Sequence, residues 1–282
     1  MRVLVTGATG RVGRHLVAEL LQGGHEVRAL TRDPGTAHFP EGVQAVGGDL
    51  AKVETLGSAF DGIDAIHFIT FGGEDYADLT NGADLVDLAE RSGARRATVL
   101  GSWSSTSVDT EVQRSTMGWT LLHPVEFMAN MLDWADELKA SGTMSALAGY
   151  PSAMIHEADI AAVAARALTE TGHTGRTYPL TGPEALTPRE RVRILAEETG
   201  RDLSFVELTV DQERTRLRGY GYDDDYVEFG IHLATSPPAE AGEVLPTVET
   251  VTGCPARTFA EWAHENAARF QPVDGIGSEP RD

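Results

Sequence analysis

The stretch VTGATGRVGRHLVAELL, from Val5 to Leu21, decides the fold. The residues just before its glycines, MRVLV, are apolar and predict a short buried strand. The residues after them predict a helix whose apolar side chains share one face: Val12, Leu16, Val17, Leu20 and Leu21. Strand and helix are joined by a turn containing Gly7, Gly10 and Gly13.

Such a turn is suited to binding a diphosphate. The first N–H groups of a helix have no partner within the helix, and the aligned peptide dipoles favour a negative group there. We expect one glycine to permit the turn, the next to let the backbone approach the phosphates, and the last to bring the helix near the strand. The residues predicted to bind a dinucleotide here are Gly7, Thr9, Gly10, Arg11, Val12 and Gly13. An ordinary surface turn is the alternative, but the strand-like HEVRALT that follows the helix favours nucleotide binding.

The composition excludes several classes of protein. The chain has 282 residues, 41% of them apolar, which suits a large globular α/β protein. Its net charge of −20 disfavours binding to nucleic acid or to an anionic membrane. The single cysteine, Cys254, excludes an internal disulfide framework. Met1 stands directly before the first strand and no apolar run approaches membrane-spanning length, so we predict a cytoplasmic protein.

Strands and helices alternate through the first part of the chain. After the first strand, glycine turn and helix, strands are predicted for HEVRALT, VQAVGGDL, IDAIHFIT, ARRATVLGS and GWTLLHP, with a short helix in KVETLGSAF and a longer one over about residues 76–92. The alternation predicts an α/β fold, with a Rossmann-type doubly wound parallel sheet and a smaller C-terminal α+β substrate region.

We assign residues 1–125, with parts of 150–182, to the dinucleotide-binding core. Residues 126–149 and 183–271 are assigned to the smaller substrate-binding region, and 272–282 to a disordered tail. Helices are predicted over 126–140, 157–169 and 188–199, the last opened by a capping box of Thr187 and Glu190. The acidic residues 220–230 favour a solvated loop or a helix start over a metal site.

Several motifs resemble the NmrA-like group of atypical short-chain dehydrogenases/reductases. They are TGATGRVG, TRD after the second strand, GDL after the third and TLLHPVEFMAN, and the likeness continues through IHEADIAAVAARAL, YPLTGPEALTPRE and TGCPARTFAEWA. That group includes NAD(P)H-dependent quinone and azo-compound reductases, isoflavone-type reductases, and redox-sensing regulators without enzymatic activity. The resemblance therefore defines the fold more sharply than the function.

The resemblance also implies further contacts with the cofactor. It places Asp49 and Leu50 in the adenine pocket, Thr70 at the nicotinamide ribose and Pro124 beside the nicotinamide. Two alternatives need no cofactor, because Asp49 can cap a helix and Pro124 can simply end a strand.

A tyrosine-lysine proton relay is absent from the sequence. Most members of the wider superfamily have a lysine four residues after the catalytic tyrosine, and none of the six tyrosines here has one. We therefore expect reduction rather than ordinary alcohol dehydrogenation, with the proton supplied by water or a weaker donor. The candidate donors are Ser102, Glu111 and His123, the last where the related "LRP" motif has arginine. A salt bridge for Glu111 and a structural hydrogen bond for His123 are the alternatives.

The end of the second strand predicts which cofactor is preferred. Arg32 follows HEVRALT directly and supplies a cation for an adenosine 2′-phosphate, which Arg11 can approach from the other side. The neighbouring Asp33 argues against this prediction, because its negative charge would repel the 2′-phosphate. We expect NADP(H) to be preferred over NAD(H).

Three functions are compatible with these observations. The leading one is a reductase of a small conjugated or aromatic electrophile, whose partners are the cofactor and a small-molecule substrate. The second is a cofactor-binding redox sensor that acts on a protein partner. The third is a non-redox isomerase or lyase on the same fold.

Overall fold

The computed structural model describes residues 1–72, 77–101, 105–237 and 239–272. Its strands are β1 (Arg2–Val5), β2 (Glu26–Thr31), β3 (Gln44–Gly47), β4 (Ala65–Ile69), β5 (Phe71–Gly72), β6 (Ala77–Asp78), β7 (Arg96–Leu100), β8 (Gly118–Pro124), β9 (Thr143–Ala146), β10 (Arg176–Leu180) and β11 (Ser204–Glu207).

The α-helices of the same residues are α1 (Gly13–Gln22), α2 (Gly57–Phe60), α3 (Gly82–Arg91), α4 (Ser107–Arg114), α5 (Ala135–Ser141), α6 (Glu157–Thr169), α7 (Pro188–Thr199), α8 (Val210–Gly219), α9 (Asp224–Thr235), α10 (Thr247–Thr252) and α11 (Phe259–Asn266). Short 3₁₀ helices cover Val53–Thr55, Met128–Trp134, Ala239–Gly242 and Ala267–Phe270. Within the described ranges, no helix is both long enough and apolar enough to cross a membrane.

The central feature is a seven-stranded parallel sheet. Its strand order is β10-β8-β7-β4-β1-β2-β3, and every neighbouring pair is parallel. The predicted Rossmann-type doubly wound sheet is thereby confirmed. The order reverses between β1 and β4, and in such sheets ligands bind outside the carboxyl ends of the strands at the reversal.

The strand register defines which residues share the carboxyl edge. Ile69 of β4 pairs with Leu100 of β7, which in turn pairs with Leu122 of β8. The residues that follow these three, Thr70, Gly101 and His123, therefore form the next row along the edge.

The chain divides into two compact units. The first comprises Met1–Val125, Glu157–Thr181 and Leu245–Ala256, and the second Glu126–His156, Gly182–Val244 and Arg257–Asp282. Of the predicted tail, residues 273–282 lie outside the described part of the chain.

Each unit has its own core. In the first, apolar side chains of the sheet pack against α2, α3 and α4, among them Leu4, Phe60, Ile66, Phe68, Leu85 and Val108. Helices α1 and α6 of this unit pack against each other. In the second unit, β9 and β11 form a parallel pair, and the core contains Met128, Leu138, Leu195, Phe259, Trp262 and Phe270.

Some predicted elements differ in detail from those observed. The helix predicted from about residue 76 begins at Gly82, because β5 and β6 form a short antiparallel pair before it. The predicted helix over 126–140 is a 3₁₀ segment followed by α5. The predictions of α6 and α7 are confirmed, including the capping box of Thr187 and Glu190. In the acidic stretch, Asp223 caps the start of α9.

One histidine lies in the core of the sheet. His67 of β4 is fully buried, and its Nδ1 lies 2.8 Å from Oγ1 of Thr98. No described residue offers its Nε2 a hydrogen bond. Burial lowers the pKa of His67 from 6.5 to about 4, because the charged imidazolium would lose its hydration.

We expect this histidine to make the protein less stable in mild acid. Below pH 6.5 the unfolded chain gains a proton at residue 67 that the folded chain does not take up until about pH 4. The free energy of unfolding should therefore fall by up to about 3 kcal/mol between these pH values. His67→Gln, which keeps a hydrogen-bonding group beside Thr98, should remove this part of the fall. The measurement is urea unfolding at a series of pH values.

Parallel curves for the wild type and His67→Gln from pH 7 to pH 4 would contradict the prediction.

Candidate functional site

The glycine turn between β1 and α1 folds back closely on itself. Gly7 has a left-handed φ of +61°, and its carbonyl accepts a 2.8 Å hydrogen bond from the N–H of Gly10. A Cβ atom on residue 13 would lie 2.1 Å from the carbonyl oxygen of Gly7, far inside contact distance. One on residue 10 would lie 3.0 Å from the same oxygen. Glycine at position 13 is thus a steric requirement of the turn.

The turn is fixed to the neighbouring strand β4. Thr6, fully buried, donates from Oγ1 to the carbonyl of His67 at 2.9 Å. The same Oγ1 accepts a 2.9 Å hydrogen bond from the N–H of Ile69. A Cβ atom on Gly7 would lie 2.9 Å from Cγ2 of Ile69, so the turn lies directly against the end of β4. Thr6 is a positioning residue that the sequence reasoning missed.

The N-terminus of α1 is suited to an anion. Among the described residues, no side chain caps it at Val12, and its first turn contains no acidic residue. Thr9 and Gly10 are exposed, and Arg11 is partly exposed. A compact turn in which Gly7, Gly10 and Gly13 lack Cβ atoms, next to an uncapped helix start, fits the diphosphate of a dinucleotide.

The end of β2 lies beside this turn. Val5 of β1 pairs with Ala29 of β2, so the register places the exposed Arg32 level with the glycine turn. Asp33 is held in a local turn, where its Oδ1 accepts a 3.0 Å hydrogen bond from the N–H of Gly35.

The residues after β3 form the next part of the edge. Asp49 is partly exposed, its Oδ1 accepts a 3.1 Å hydrogen bond from the N–H of Ala51, and its Oδ2 lies 3.9 Å from Nζ of Lys52. Leu50 is buried, and its carbonyl accepts a 2.8 Å hydrogen bond from Nδ2 of Asn81. The arrangement leaves Asp49 able to accept a further hydrogen bond from a ligand, since a carboxylate has about four acceptor sites.

The two residues assigned to the nicotinamide end lie at the carboxyl edge of the sheet. Thr70 follows β4, is buried, and accepts a 2.8 Å hydrogen bond at its carbonyl from the N–H of Leu79. Pro124 is the last residue of β8, is buried, and pairs in register with Leu180 of β10.

The candidate proton donors have different surroundings. Ser102 lies outside the described residues. Glu111 lies on α4 and forms a 2.8 Å ion pair with Arg114 one helical turn later. This is the salt bridge that was the alternative to a proton-donor role for Glu111. His123 is half-buried at the carboxyl edge, with its ring against Gly101. A Cβ atom on Gly101 would also lie 3.2 Å from Oδ1 of Asp109, a buried carboxylate that the sequence reasoning did not single out.

Both lysines of the chain are paired with nearby carboxylates. Lys139 lies 3.1 Å from Oδ1 of Asp136 on the same helix, and Lys52 lies beside Asp49.

Comparison with known proteins gives the same fold and a related chemistry. A sequence model of the family described as NAD(P)H-binding matches residues 7–171. One similar protein is the (4-alkanoyl-5-oxo-2,5-dihydrofuran-3-yl)methyl phosphate reductase of Streptomyces griseus. It is 36% identical to this chain, and the match covers 96% of this chain and 99% of the reductase. The NAD(P)H azoreductase of Xenophilus azovorans is 34% identical over 95% of this chain and 99% of its own.

Two solved structures extend the comparison. The NADPH-dependent quinone oxidoreductase from Escherichia coli, complexed with NADPH, has a TM-score of 0.77 at 21% identity and covers 93% of this chain and 99% of its own. The negative transcriptional regulator NmrA, in complex with NAD, has a TM-score of 0.70 at 16% identity and covers 94% of each chain. These likenesses show the fold, and the predicted NmrA-like resemblance is confirmed.

The turn geometry predicts the effect of a side chain at position 10. Gly10→Val should leave the protein folded, because Gly10 is exposed and has no left-handed φ. The isopropyl group should nevertheless exclude the diphosphate and weaken cofactor binding at least about tenfold. The measurement is titration of NADPH and NADH fluorescence with the purified protein.

The matched control is Gly57→Val, since a Cβ atom on Gly57 would meet nothing within 4 Å. Gly13→Ala should lose thermal stability as well as affinity, because its Cβ atom would overlap the carbonyl of Gly7. Wild-type affinity in a folded Gly10→Val protein would show that the diphosphate does not bind at this turn.

Proposed function

The chain belongs to the NAD(P)H-binding family, and from this premise we propose that it is an NAD(P)H-dependent reductase of a small conjugated or aromatic electrophile of the quinone, azo or enone type. The observation that carries the proposal is the glycine turn, in which position 13 has no room for a Cβ atom beside the carbonyl of Gly7 and the start of α1 has no side-chain cap. The two reductases described above, similar over nearly their whole lengths, support the redox chemistry.

Different residues of the first unit would bind different parts of the cofactor. The turn and the start of α1 would bind the diphosphate through backbone N–H groups, and Asp49 and Leu50 would bind the adenine. Thr70 and Pro124 would contact the nicotinamide end of the cofactor at the carboxyl edge of the sheet. When bound, NAD(P)H supplies a hydride. The protein would orient it and exclude competing reactions.

The proposed substrate class follows from the missing relay. An alcohol dehydrogenase needs a base to exchange a proton with a hydroxyl group, and the chain has no tyrosine-lysine pair for that purpose. A quinone, azo group or enone accepts hydride at a conjugated position, and the negative charge is delocalised before the proton arrives. Such substrates place smaller demands on the acid. The relatives are named as reductases of an azo class and of an oxo-dihydrofuran phosphate.

The reductase proposal is tested with a panel of three electrophiles. Purified protein is given NADPH or NADH together with 1,4-naphthoquinone, methyl red or 2-cyclohexen-1-one, and consumption of the cofactor is followed at 340 nm. We expect turnover with at least one of the three, and its loss in Gly10→Val at a cofactor concentration that saturates the wild type. No consumption with any of them would contradict the proposal.

The likeness to NmrA and the missing relay favour a second candidate, a redox sensor that binds the cofactor without turnover. A sensor must distinguish the two redox states by affinity, because only a differential affinity can shift an equilibrium between two forms. Selective binding of one redox state, combined with inactivity towards all three electrophiles, would replace the reductase proposal with this one.

We further propose that NADP(H) is preferred over NAD(H). Arg32 is exposed level with the glycine turn, where an adenosine 2′-phosphate would need a cation. The carboxylate of Asp33 accepts a hydrogen bond from Gly35 within its own turn. This local contact supports a preference set by Arg32 rather than by Asp33.

Replacing the arginine should therefore remove the preference. Arg32→Ala should weaken NADPH binding about 10- to 100-fold, the loss expected for a charge-assisted phosphate contact, and leave NADH binding within about twofold. Dissociation constants for both cofactors provide the measurement. Arg91→Ala, which removes an exposed arginine on α3 that pairs with Asp87, should change neither. Equal wild-type affinities for the two cofactors would refute the preference.

A further inference from the structure

Asn81 occupies a position where a side chain usually caps a helix, but its own side chain does not. It directly precedes α3, and among the described residues its side chain accepts no hydrogen bond from the first turn of that helix. Asparagine at such a position ordinarily accepts one. Other helices of the described chain are capped in this way, by the side chains of Thr106, Thr187, Thr209, Asp223 and Thr258. Helix capping therefore does not account for the side chain of Asn81.

The amide of Asn81 instead contacts the loop after β3. Its Nδ2 donates a 2.8 Å hydrogen bond to the carbonyl of Leu50, 31 positions earlier in the chain. Its Oδ1 is fully buried, and no described residue gives it a hydrogen bond. The reverse orientation of the amide would bring two oxygens together, so the bond to Leu50 determines which atom faces the loop. A buried oxygen without a partner is costly, and the bond to Leu50 is therefore the interaction that this side chain contributes.

The bonded carbonyl belongs to the peptide group that orients Asp49. The carbonyl of Leu50 and the N–H of Ala51 are parts of one planar peptide group. That N–H donates a 3.1 Å hydrogen bond to Oδ1 of Asp49. A chain of hydrogen bonds thus runs from the amide of Asn81, through this peptide group, to the carboxylate of Asp49. Hydrogen bonds in such a chain polarise and strengthen one another.

The backbone around Asn81 is itself held in place. The N–H of Leu79, two residues earlier, donates a 2.8 Å hydrogen bond to the carbonyl of Thr70 after β4. The N–H of Gly82 donates a 3.2 Å hydrogen bond to Oγ of Ser107 on α4, and the same Oγ donates to the carbonyl of Leu79. The start of α3 is therefore bonded both to the end of a strand and to a neighbouring helix, which gives the amide of Asn81 a fixed origin.

The loop that carries Asp49 is shaped by local hydrogen bonds. The N–H of Asp49 donates to Oγ1 of Thr55 at 3.0 Å, and this Oγ1 donates to the carbonyl of Lys52 at 2.7 Å. The bond from Asn81 adds a tie to a distant element. Oδ2 of Asp49 lies 3.9 Å from Nζ of Lys52, beyond hydrogen-bond length, so it keeps acceptor capacity for a ligand.

We propose that Asn81 is a positioning residue that orients Asp49 towards the 6-amino group of the cofactor's adenine and so makes the protein select adenine over hypoxanthine. The proposal rests on the cofactor binding argued above. An ionised carboxylate can only accept hydrogen bonds, and the 6-amino group is a donor. Hypoxanthine has a carbonyl oxygen in its place, which cannot donate to a carboxylate. By holding the peptide group that binds Oδ1, Asn81 leaves Oδ2 for the base.

The probe is a cofactor that differs only in its purine. Either NADPH or NADH, whichever the wild type binds more tightly, is compared with its deamino analogue, in which hypoxanthine replaces adenine. Nicotinamide fluorescence reports the binding of both compounds. We expect the wild type to bind the natural cofactor at least about tenfold more tightly, the effect of one hydrogen bond to a charged group. Asp49→Ala should bind the two compounds with dissociation constants within about twofold of each other.

Asn81→Ser removes the amide but keeps a good capping residue before α3. The serine side chain ends one bond earlier than the amide and cannot reach the carbonyl of Leu50. We expect about five- to tenfold weaker binding of the natural cofactor and unchanged binding of the deamino analogue, so that the discrimination is lost. The double variant with Asp49→Ala should discriminate no less than Asp49→Ala alone, because Asn81 acts through Asp49.

A second variant and a matched control complete the design. Asn81→Asp keeps the size of the side chain, and at pH 8 its ionised carboxylate cannot donate to Leu50, so it should lose the discrimination as well. In the second unit, Nδ2 of Asn266 donates a 2.9 Å hydrogen bond to the carbonyl of Trp262, which is the same kind of bond. Asn266→Ser should leave both dissociation constants unchanged.

The measurements separate this role from the function on which it rests. A wild-type protein that binds neither NADPH nor NADH would overturn both. Inactivity towards every electrophile of the panel would overturn the reductase function alone, because the discrimination is measured by binding. Wild-type discrimination in both Asn81 variants, or none in the wild type, would overturn the role of Asn81. Equal weakening of both compounds, with lower thermal stability, would show that Asn81 has a purely structural role.

Discussion

The contact between Gly13 and the carbonyl of Gly7 constrains the rest of the first unit. Because even a methyl group cannot fit between them, the chain can enter α1 only at this point and in this direction. Thr6 and Ile69 then fix the turn against β4, so the helix start lies at the place where the strand order of the sheet reverses. If this turn binds the diphosphate as proposed, backbone packing sets the position of that site.

Binding a polyanion in this protein means overcoming an unfavourable overall charge. The chain has a net charge of −20, and a dinucleotide phosphate is also strongly negative. Salt screens exposed charges beyond about 8–10 Å at physiological ionic strength, so distant carboxylates count for little and near groups decide the affinity. Near the turn the described features are an uncapped helix start, Arg11 and Arg32.

The sequence was sufficient wherever a structural cause is local. The glycine turn, strands β1–β4, β7 and β8, and helices α6 and α7 each follow from residues within about ten positions of one another. The capping box at Thr187 was visible as TPRE. Helix α3 begins later than expected because the pairing of β5 with β6 occupies residues before it. The elements that were not predicted are strands β5, β6, β9, β10 and β11 and helices α4, α8, α10 and α11.

The division of the chain into two units has an evolutionary consequence. The backbone passes between them five times, at residues 125, 156, 181, 244 and 256, so neither unit is a continuous stretch of sequence. A gene fusion or a single recombination event cannot exchange one unit while keeping the other intact, because all five junctions would have to be matched at once. In this architecture, change by substitution, insertion or deletion inside the existing units needs no such matching of junctions.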